Sequence, residues 1–247
     1  MMMRLDKLLG HTGWGTRKEL KELCKGGHVT VNGTVCRDSS RKVDPFADAV
    51  AVDGEAVVYE EHIYLMLNKP AGVVSATEDN LSPTVIGLLP QKYQGAGLFP
   101  VGRLDKDTTG LLLITNDGVW AHGITAPKKH TDKVYEAVVA GTIPDDVGER
   151  FASGLVLADG LHCLPARAEQ TGEDRLTIVV QEGKFHQVKR MCAAVGLRVT
   201  KLQRRSIGAL VLDEALQPGD FRPLTEAERE LPFSSKNPFQ QEKNMVL

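Results

Sequence analysis

The segment that decides the fold is VGRLDKDTTGLLLITNDG, at residues 101–118. Its first half is polar and carries Asp105 and Asp107, whereas residues 111–114 form the apolar run Leu-Leu-Leu-Ile. A short apolar run bounded by Gly110 on one side and Asn-Asp-Gly on the other predicts a buried strand. We therefore expect Asp105 to lie on a loop anchored to a core strand, where catalytic side chains are often positioned.

Three interpretations of Asp105 are open. Asp and Thr side chains in loops commonly hydrogen-bond to the local backbone, which would make Asp105 purely structural. Residues 105–109 also fit the D-x-D-x-T pattern of Mg²⁺-dependent phosphotransferases, whose first Asp is a nucleophile. That site requires an apolar strand before the first Asp, and here Pro100 and Gly102 interrupt such a strand. The third interpretation depends on the whole segment and follows below.

Composition is typical of a globular protein. The 247 residues are 42% hydrophobic and 25% charged, enough for one large domain or for a small domain and a larger one. No apolar run approaches the roughly 20 residues of a membrane span, and the N-terminus lacks the apolar core of a signal peptide. The cysteines are widely spaced, without a C-x-x-C pair: Cys24, Cys36, Cys163 and Cys192. We therefore expect reduced thiols in a cytoplasmic protein, with no zinc site and no membrane association.

The distribution of charge is more informative than the net charge of −2. Residues 1–43 contain nine Lys and Arg against four Asp and Glu, and residues 184–205 contain seven Lys and Arg with no acidic residue. These two basic blocks could form one RNA-facing surface. The alternative is two solvated faces without a partner.

The N-terminal region predicts two short helices followed by a hairpin. Leu5, Leu8 and Leu9 have helical spacing, and Thr16 followed by Glu19 is a capping-box pattern that begins a second helix. A strand pair around Asn-Gly comes next. Residues 3–50 resemble an S4 RNA-binding module. The resemblance implies contacts with RNA phosphates from five basic residues: Arg4, Arg17, Lys18, Lys21 and Lys25.

The central segment resembles the main motif of the RNA pseudouridine synthases, through Gly-Arg-Leu-Asp, Thr-Gly-Leu-Leu-Leu and Thr-Asn-Asp-Gly. Two further stretches resemble motifs of the same family: L-N-K-P-x-G at 67–72 and EGKFHQVKRM at 182–191. The Lys-Val-Tyr of residues 133–135 matches the Lys-x-Tyr that begins a strand in that family. The similarity is closest to the branch that acts on small-subunit ribosomal RNA.

The resemblance implies a role for each matching residue. Asp105 would be the catalytic carboxylate and Lys189 the basic residue paired with it, in place of the more usual Arg. Tyr135 would stack on a turned-out base, and Arg103 would hold a phosphate or fill the vacated space. No cofactor or metal is implied. Further RNA contacts would come from residues beside these motifs: Lys69, Lys184, His186, Gln187 and Arg190.

The implied reaction is isomerisation of uridine to pseudouridine within ribosomal RNA, by attack of Asp105 on C1′ or by removal of a proton from C2′. The expected partner is 16S ribosomal RNA or a small-subunit assembly particle, bound by a monomer. The alternatives are a synthase for large-subunit RNA and an RNA-binding protein without catalytic activity.

The expected fold is α+β. It has a mixed, largely antiparallel sheet in a catalytic domain at residues 60–231 and a small S4 domain at 1–59. We expect residues 232–247 to be a disordered tail, because they are polar and rich in Pro, Asn, Gln and Lys. The patterns also predict strands at 64–70, 133–139, 176–180, 199–202 and 207–212, and helices at 84–89, 118–123, 145–155 and 186–195.

Overall fold

A computed structural model describes residues 1–234 and has the predicted α+β fold. Its N-terminal part contains two helices and six short strands: α1 (Leu5–His11), α2 (Arg17–Gly26), β1 (Met3–Arg4), β2 (Val29–Val31), β3 (Thr34–Val35), β4 (Lys42–Val43), β5 (Val50–Val52) and β6 (Glu55–Ala56). β2, β3, β5 and β6 form an antiparallel sheet in the order β3-β2-β5-β6, and β1 pairs with β4. The helices and this sheet share a separate apolar core.

The capping box predicted at the start of α2 is confirmed. Thr16 accepts a hydrogen bond from the backbone N–H of Glu19, whose side chain accepts one from the backbone N–H of Thr16 in return. This capping box satisfies two N–H groups that the first turn leaves free. Gly27 ends the helix at a φ of 89°, a left-handed conformation that glycine adopts without a steric penalty.

The rest of the described chain is organised around a sheet of nine strands within residues 63–234. These strands are β7 (Tyr64–Lys69), β8 (Phe99–Pro100), β9 (Thr109–Thr115), β10 (Lys133–Ala140), β11 (Arg167–Gly172), β12 (Arg175–Val180), β13 (Arg198–Ile207), β14 (Leu210–Val211) and β15 (Phe221–Pro223). The main order is β11-β12-β10-β13-β9-β7-β15, with β14 paired to β13 and β8 paired to β9. Every pairing is antiparallel except that of β13 with β9.

Short helices surround this sheet. They are α3 (Gln91–Gln94), α4 (Gly118–Thr125), α5 (Val147–Ala152), α6 (Gln187–Ala194) and α7 (Glu226–Glu230), with 3₁₀ turns at Pro127–Lys129 and Leu231–Phe233. The Asp117 side chain caps α4 by accepting hydrogen bonds from the N–H groups of its first turn. None of the helices in residues 1–234 combines the length and the apolar character needed to cross a membrane.

The apolar run of the central segment forms the middle of β9, as predicted. Leu112 and Ile114 pack into the larger core, whereas Leu111 and Leu113 point to the opposite face and join a second core that contains Trp120. Alternate side chains of a strand face opposite sides of the sheet, and here both sides are covered. This is why the run is continuously apolar rather than alternating. The polar loop before β9 is thereby fixed to the centre of the domain.

Three predicted elements differ from those observed. Residues 84–89 are hydrogen-bonded turns rather than a helix, because Pro83 and Gly87 flank three residues that are all β-branched and therefore disfavour a helix. The helix predicted at 145–155 is confined to Val147–Ala152. The two strands predicted at 199–202 and 207–212 are instead β13, which runs unbroken through polar residues, and the short β14.

The start of the predicted tail is ordered. Pro232 is buried, and the ring of Phe233 packs edge-on against Trp120 with centroids 6.3 Å apart. The prediction that disorder begins at residue 232 is therefore wrong for these two positions. The remainder of the predicted tail, residues 235–247, lies outside the described residues. All four cysteines are free and buried, in agreement with the expected reduced thiols.

Candidate active site

The loop between β8 and β9 carries the polar half of the central segment. Leu104 is buried, and its backbone N–H donates to Ser75 Oγ over 3.0 Å while the Ser75 hydroxyl donates to the Leu104 carbonyl over 2.9 Å. The Asp105 carbonyl accepts a hydrogen bond from the N–H of Thr108, which closes a turn. The Asp105 side chain is 27% exposed. It is therefore held on an ordered loop and remains accessible.

Lys69, the last residue of β7, holds this loop through hydrogen bonds from its side chain. Its Nζ donates hydrogen bonds to the carbonyl oxygens of Thr108, Pro70 and Lys106, over 2.9, 3.0 and 3.3 Å. The side chain has no exposed surface, and burial lowers the pKa of Lys69 to about 8, against the opposing effect of Asp107 and Asp105. The prediction that Lys69 contacts RNA is therefore wrong. Its ammonium instead holds the backbone of the loop that carries Asp105.

Asp105 lies beside Lys189 of α6, as the motif match predicted. The distance from Asp105 Oδ2 to Lys189 Nζ is 3.2 Å, and Asp107 Oδ1 approaches the same Nζ to 2.5 Å. Burial opposes the charge on Lys189, but its hydrogen bonds to Asp107 and Asp105 outweigh this and raise its pKa. The hydrogen bond from Lys189 lowers the pKa of Asp107. One ammonium thus serves two carboxylates, of which Asp107 is the more exposed.

The segment before α6 places the imidazole ring of His186 next to Asp105. His186 adopts a left-handed conformation, with a φ of 50°, and its Nε2 lies 3.6 Å from Asp105 Oδ1. Gln187, the next residue, is buried. Its Nε2 donates to Glu182 and its Oε1 accepts from the Lys184 N–H. Its amide thereby holds the turn that leads into α6, and because Gln187 also lines the small cavity beside Asp105, its contact with RNA stays a prediction.

A small cavity opens beside these groups. It measures about 70 Å³ and is lined by Asp105, His186 and Tyr135, among others. Tyr135 lies on β10 with its ring mostly buried. Arg103 lies at the mouth of the cavity, is exposed, and makes no hydrogen bond or ion pair within residues 1–234. Four side chains from three distant segments of the sequence therefore lie close together: a carboxylate, its paired ammonium, an aromatic ring and a guanidinium without a hydrogen bond or ion pair in the described residues.

Comparison with known proteins identifies the family. A model described as RNA pseudouridylate synthase matches residues 63–194, and a model of the S4 domain matches residues 3–50. The chain belongs to the RNA pseudouridine synthase family. It is therefore an enzyme that isomerises uridine in RNA, as the motifs predicted.

Similar proteins support this membership over nearly the whole chain. An uncharacterised RNA pseudouridine synthase of Bacillus subtilis is 46% identical and covers 93% of this chain and 98% of its own. A ribosomal small subunit pseudouridine synthase A of Salmonella typhimurium is 42% identical over 92% of this chain and 98% of its own. A solved structure titled as a pseudouridylate synthase has 37% identity and a TM-score of 0.66, and covers 93% of this chain and 99% of its own.

The S4 domain of this synthase presents part of its predicted basic surface freely. Arg17, Lys18 and Lys21 are exposed on α2 and form no hydrogen bond or ion pair with their side chains in the described part of the chain. Lys25 pairs with Glu22 on the helix surface. Arg4 makes two hydrogen bonds to the buried Asp6 and lowers its pKa, so its guanidinium already has a structural partner.

The two other predicted RNA contacts beside the synthase site have partners as well. Lys184 Nζ lies 2.9 Å from Glu182 Oε2 and 2.5 Å from the carbonyl oxygen of His162. Arg190 on α6 lies 2.5 Å from Asp159 Oδ1. Both side chains are partly exposed, at 30% and 27%. Contacts of these two residues with RNA remain predictions.

One feature of the synthase site was not predicted. Phe185 is 69% exposed and stacks on the His186 ring, with centroids 3.8 Å apart and planes inclined by 18°. The signal available in the sequence was a lone Phe within the otherwise polar stretch EGKFHQ.

Proposed function

We propose that this synthase converts a uridine of small-subunit ribosomal RNA to pseudouridine, with Asp105 as the carboxylate that acts on the sugar. The observation that carries the proposal is the 3.2 Å contact between Asp105 and Lys189 at a cavity also lined by Tyr135. The choice of target is supported by the 42% identical relative, which is named for the small ribosomal subunit.

The reaction balances without an added reactant. The N1–C1′ bond breaks, the base turns, and a C5–C1′ bond forms; C5 loses a proton and N1 gains one. Asp105 serves either as the nucleophile that bonds to C1′ or as the base that takes a proton from C2′, and both routes need its ionised form. Lys189 faces that carboxylate, orients it and offsets its charge.

The remaining groups fit a nucleotide that leaves the RNA stack. Enzymes that act on a base or its glycosidic bond turn the nucleotide out into a pocket. Tyr135 offers an aromatic wall for that base and a hydroxyl near its reacting edge. Arg103 is free to hold a phosphate or to fill the space left behind. The stacked rings of Phe185 and His186 offer a further surface for a neighbouring unstacked base.

The two other classes fit the geometry less well. In a D-x-D-x-T phosphotransferase the two Asp residues face Mg²⁺, whereas here the Lys189 ammonium lies between Asp105 and Asp107. A protein that only binds RNA has no need for a partly buried carboxylate paired with a lysine at the wall of a cavity.

The proposal extends to the organisation of the chain. Residues 1–59 anchor the RNA through exposed basic residues on α2, and residues 60–231 carry out the chemistry. All the groups at the site come from one chain, which is consistent with a monomer. The enzyme acts in the cytoplasm, where its ribosomal RNA substrate lies.

Release of tritium from C5 tests the proposed function. Transcripts of small-subunit and large-subunit ribosomal RNA, labelled with ³H at C5 of uridine, are incubated with the protein in the presence of a chelator. We expect tritium release and pseudouridine formation with the small-subunit transcript. Release from the large-subunit transcript alone would reassign the target. Binding without release from either RNA would leave only the RNA-binding alternative.

A further inference from the structure

A second and larger cavity adjoins the first. It measures about 400 Å³ and lies beyond Arg103 and Tyr135, which line both cavities. Its wall carries four basic side chains, from Arg103, Lys133, Lys184 and Arg204. The acidic side chain on this wall is that of Glu182, which already interacts with Lys184 Nζ, Gln187 Nε2 and a backbone N–H. The cavity therefore has an excess of positive charge.

Arg204 is a buried donor with an unused N–H group. It is 3% exposed, its Nε donates to the Leu111 carbonyl over 2.8 Å, and its Nη2 is buried without a hydrogen-bond partner in residues 1–234. Buried polar groups are nearly always paired, and because Arg204 lines the cavity its unpaired N–H is available to an acceptor bound there. Arg204 is the register partner of Tyr135 across β13 and β10, so the two side chains share a face of the sheet.

Lys133 adds a second partly buried cation to the same wall. Its Nζ donates to the Thr131 carbonyl over 2.8 Å, and burial, followed by the charge of Arg204, lowers its pKa to about 8. Asp132 acts in the opposite direction, but its carboxylate is already hydrogen-bonded to Arg167 and Gln181. Lys133 and Arg204 thus add two cations to the wall of the cavity, and the Asp132 carboxylate near Lys133 is already hydrogen-bonded.

We infer that this cavity binds a backbone phosphate of the substrate RNA, next to the nucleotide that enters the Asp105 site. Arginine and lysine offer only donors, and a phosphate offers only acceptors at neutral pH, so the match does not depend on the base. A phosphate held here, beside Tyr135, sets the position of the neighbouring nucleotide along the cleft. The inference rests on the proposed function, since it takes RNA as the substrate.

Replacement of Lys133 tests the inference. Lys133→Gln removes the charge and keeps a donor for the Thr131 carbonyl. Arg204→Lys keeps the charge and removes the unpaired Nη2. The matched control is Lys201→Gln, an exposed residue on β13 that does not line the cavity. Binding of a small-subunit RNA transcript is measured from low to high salt, and kcat and KM are measured by tritium release.

For Lys133→Gln we expect the slope of log affinity against log salt to fall by about 0.7–0.9, the loss of one phosphate contact. KM should rise about tenfold, with a smaller change in kcat. Lys201→Gln should match the wild type. If Arg204→Lys folds, its KM should rise as well. If it does not fold, the result for Lys133→Gln alone decides whether the cavity binds a phosphate.

Two results would overturn the inference. One is a Lys133→Gln protein with the slope and KM of the wild type; the other is an equal loss in Lys133→Gln and Lys201→Gln, which would indicate general surface attraction. Either result leaves the proposed function intact provided that the wild type forms pseudouridine. Absence of pseudouridine formation by the wild type would instead refute the proposed function, and the salt slopes would then still decide whether the cavity binds phosphate.

Discussion

At the scale of the residue, the site depends on one ammonium shared by two carboxylates. Lys189 Nζ contacts Asp107 at 2.5 Å and Asp105 at 3.2 Å, and its pKa is raised. Asp107 is 74% exposed, so water screens its interaction, whereas Asp105 is largely enclosed. Asp105, the more enclosed of the two carboxylates, is the one that a nucleotide entering the small cavity would contact.

Loss of the Lys189 charge should lower activity and alter the titration of Asp107. For Lys189→Met we expect kcat to fall by about 10²- to 10³-fold, as when one preorganised charged contact is removed from an active site. Lys189→Arg should recover part of this, because it keeps the charge with a different geometry. Tritium release measures both variants. Equal rates in Lys189→Met and the wild type would contradict the pairing.

The same variant makes a prediction about acid stability. The hydrogen bond from Lys189 lowers the pKa of Asp107 in the folded state. Asp107 therefore adds stability above its unfolded pKa, and this contribution is lost as the pH falls through the lowered folded value. In Lys189→Met the carboxyl resonance of Asp107 should titrate at a higher pH in ¹³C NMR spectra. An unchanged midpoint would show that Lys189 does not hold this carboxylate.

The motifs identified Asp105 and Lys189 because their roles follow from position within a long matching string. The motifs could not show which of their side chains are buried. Lys69 and Gln187 belong to the same motifs, yet both side chains are buried and hold backbone turns. Arg204 was overlooked because a basic residue in a polar stretch predicts exposure, whereas β13 is covered on both sides by neighbouring strands.

At the scale of the element, β7 and β9 position the loop that carries Asp105, through Lys69. The ammonium joins three carbonyl oxygens, two of which belong to Lys106 and Thr108 on either side of the turn after Asp105. A buried ammonium is tolerated here because the carbonyls replace water as acceptors. Lys69 thus links the end of one central strand to the backbone that carries the proposed catalytic group.

Lys69→Met should therefore impair chemistry more than RNA binding. We expect kcat to fall by about 10²-fold, the effect of a displacement of about 1 Å at a reacting group. RNA affinity should change by less than about twofold, since the side chain cannot reach RNA. The matched control is Lys106→Met, in the same loop, whose exposed side chain donates a hydrogen bond to Ser82 Oγ. A loss of RNA affinity without a loss of kcat would refute this role.

The lowered pKa of Lys69 also predicts that the stability of the protein depends on pH in the alkaline range. Its folded pKa, about 8, lies below the value of 10.5 for an unperturbed lysine. Between these values the unfolded chain binds more protons, so the free energy of unfolding should rise with pH across this window. Urea unfolding at several pH values measures the rise, which should be smaller in Lys69→Met. Identical pH profiles for the two proteins would contradict the burial of this charge.

Strands with a simple apolar signature were predictable, and those shaped by pairing were not. β7, β9 and β12 contain continuous apolar runs because both of their faces are buried. β13 carries Gln203, Arg204 and Arg205 in its second half, and its strand conformation depends on hydrogen bonds with β10 and β9. The turns at 84–89 looked helical because their apolar residues have a spacing that short turns can also have.

At the scale of the whole molecule, the S4 domain and the synthase domain meet through close backbone contacts. A Cβ on Gly95 would lie 1.8 Å from the carbonyl oxygen of Gly10, and a Cβ on Gly13 would lie 2.1 Å from Lys92 Cα. His11 Nε2 also lies 2.8 Å from the Glu60 carbonyl oxygen. Neither this interface nor the parallel pairing of β13 with β9 had a signal in the sequence, because both depend on contacts between distant residues.

The S4 domain should supply affinity rather than chemistry. In the double variant Lys18→Gln/Lys21→Gln, the salt slope of RNA binding should fall by about 1.4–1.8, the loss of two phosphate contacts. The rate at saturating RNA should change little, because these residues lie on α2 rather than at the site. The matched control is Arg198→Gln/Lys201→Gln on β13. Unchanged binding in the first variant would show that α2 does not contact the substrate.

The role of Asp105 is tested most directly by comparing Asp105→Asn with Asp107→Asn in single-turnover tritium release from small-subunit RNA. Both substitutions keep the shape of the side chain, and both residues contact Lys189. If Asp105 acts on the sugar, Asp105→Asn should bind RNA and release no tritium above background, whereas Asp107→Asn should retain most of the activity. Release by Asp105→Asn at a rate close to that of the wild type would contradict the account.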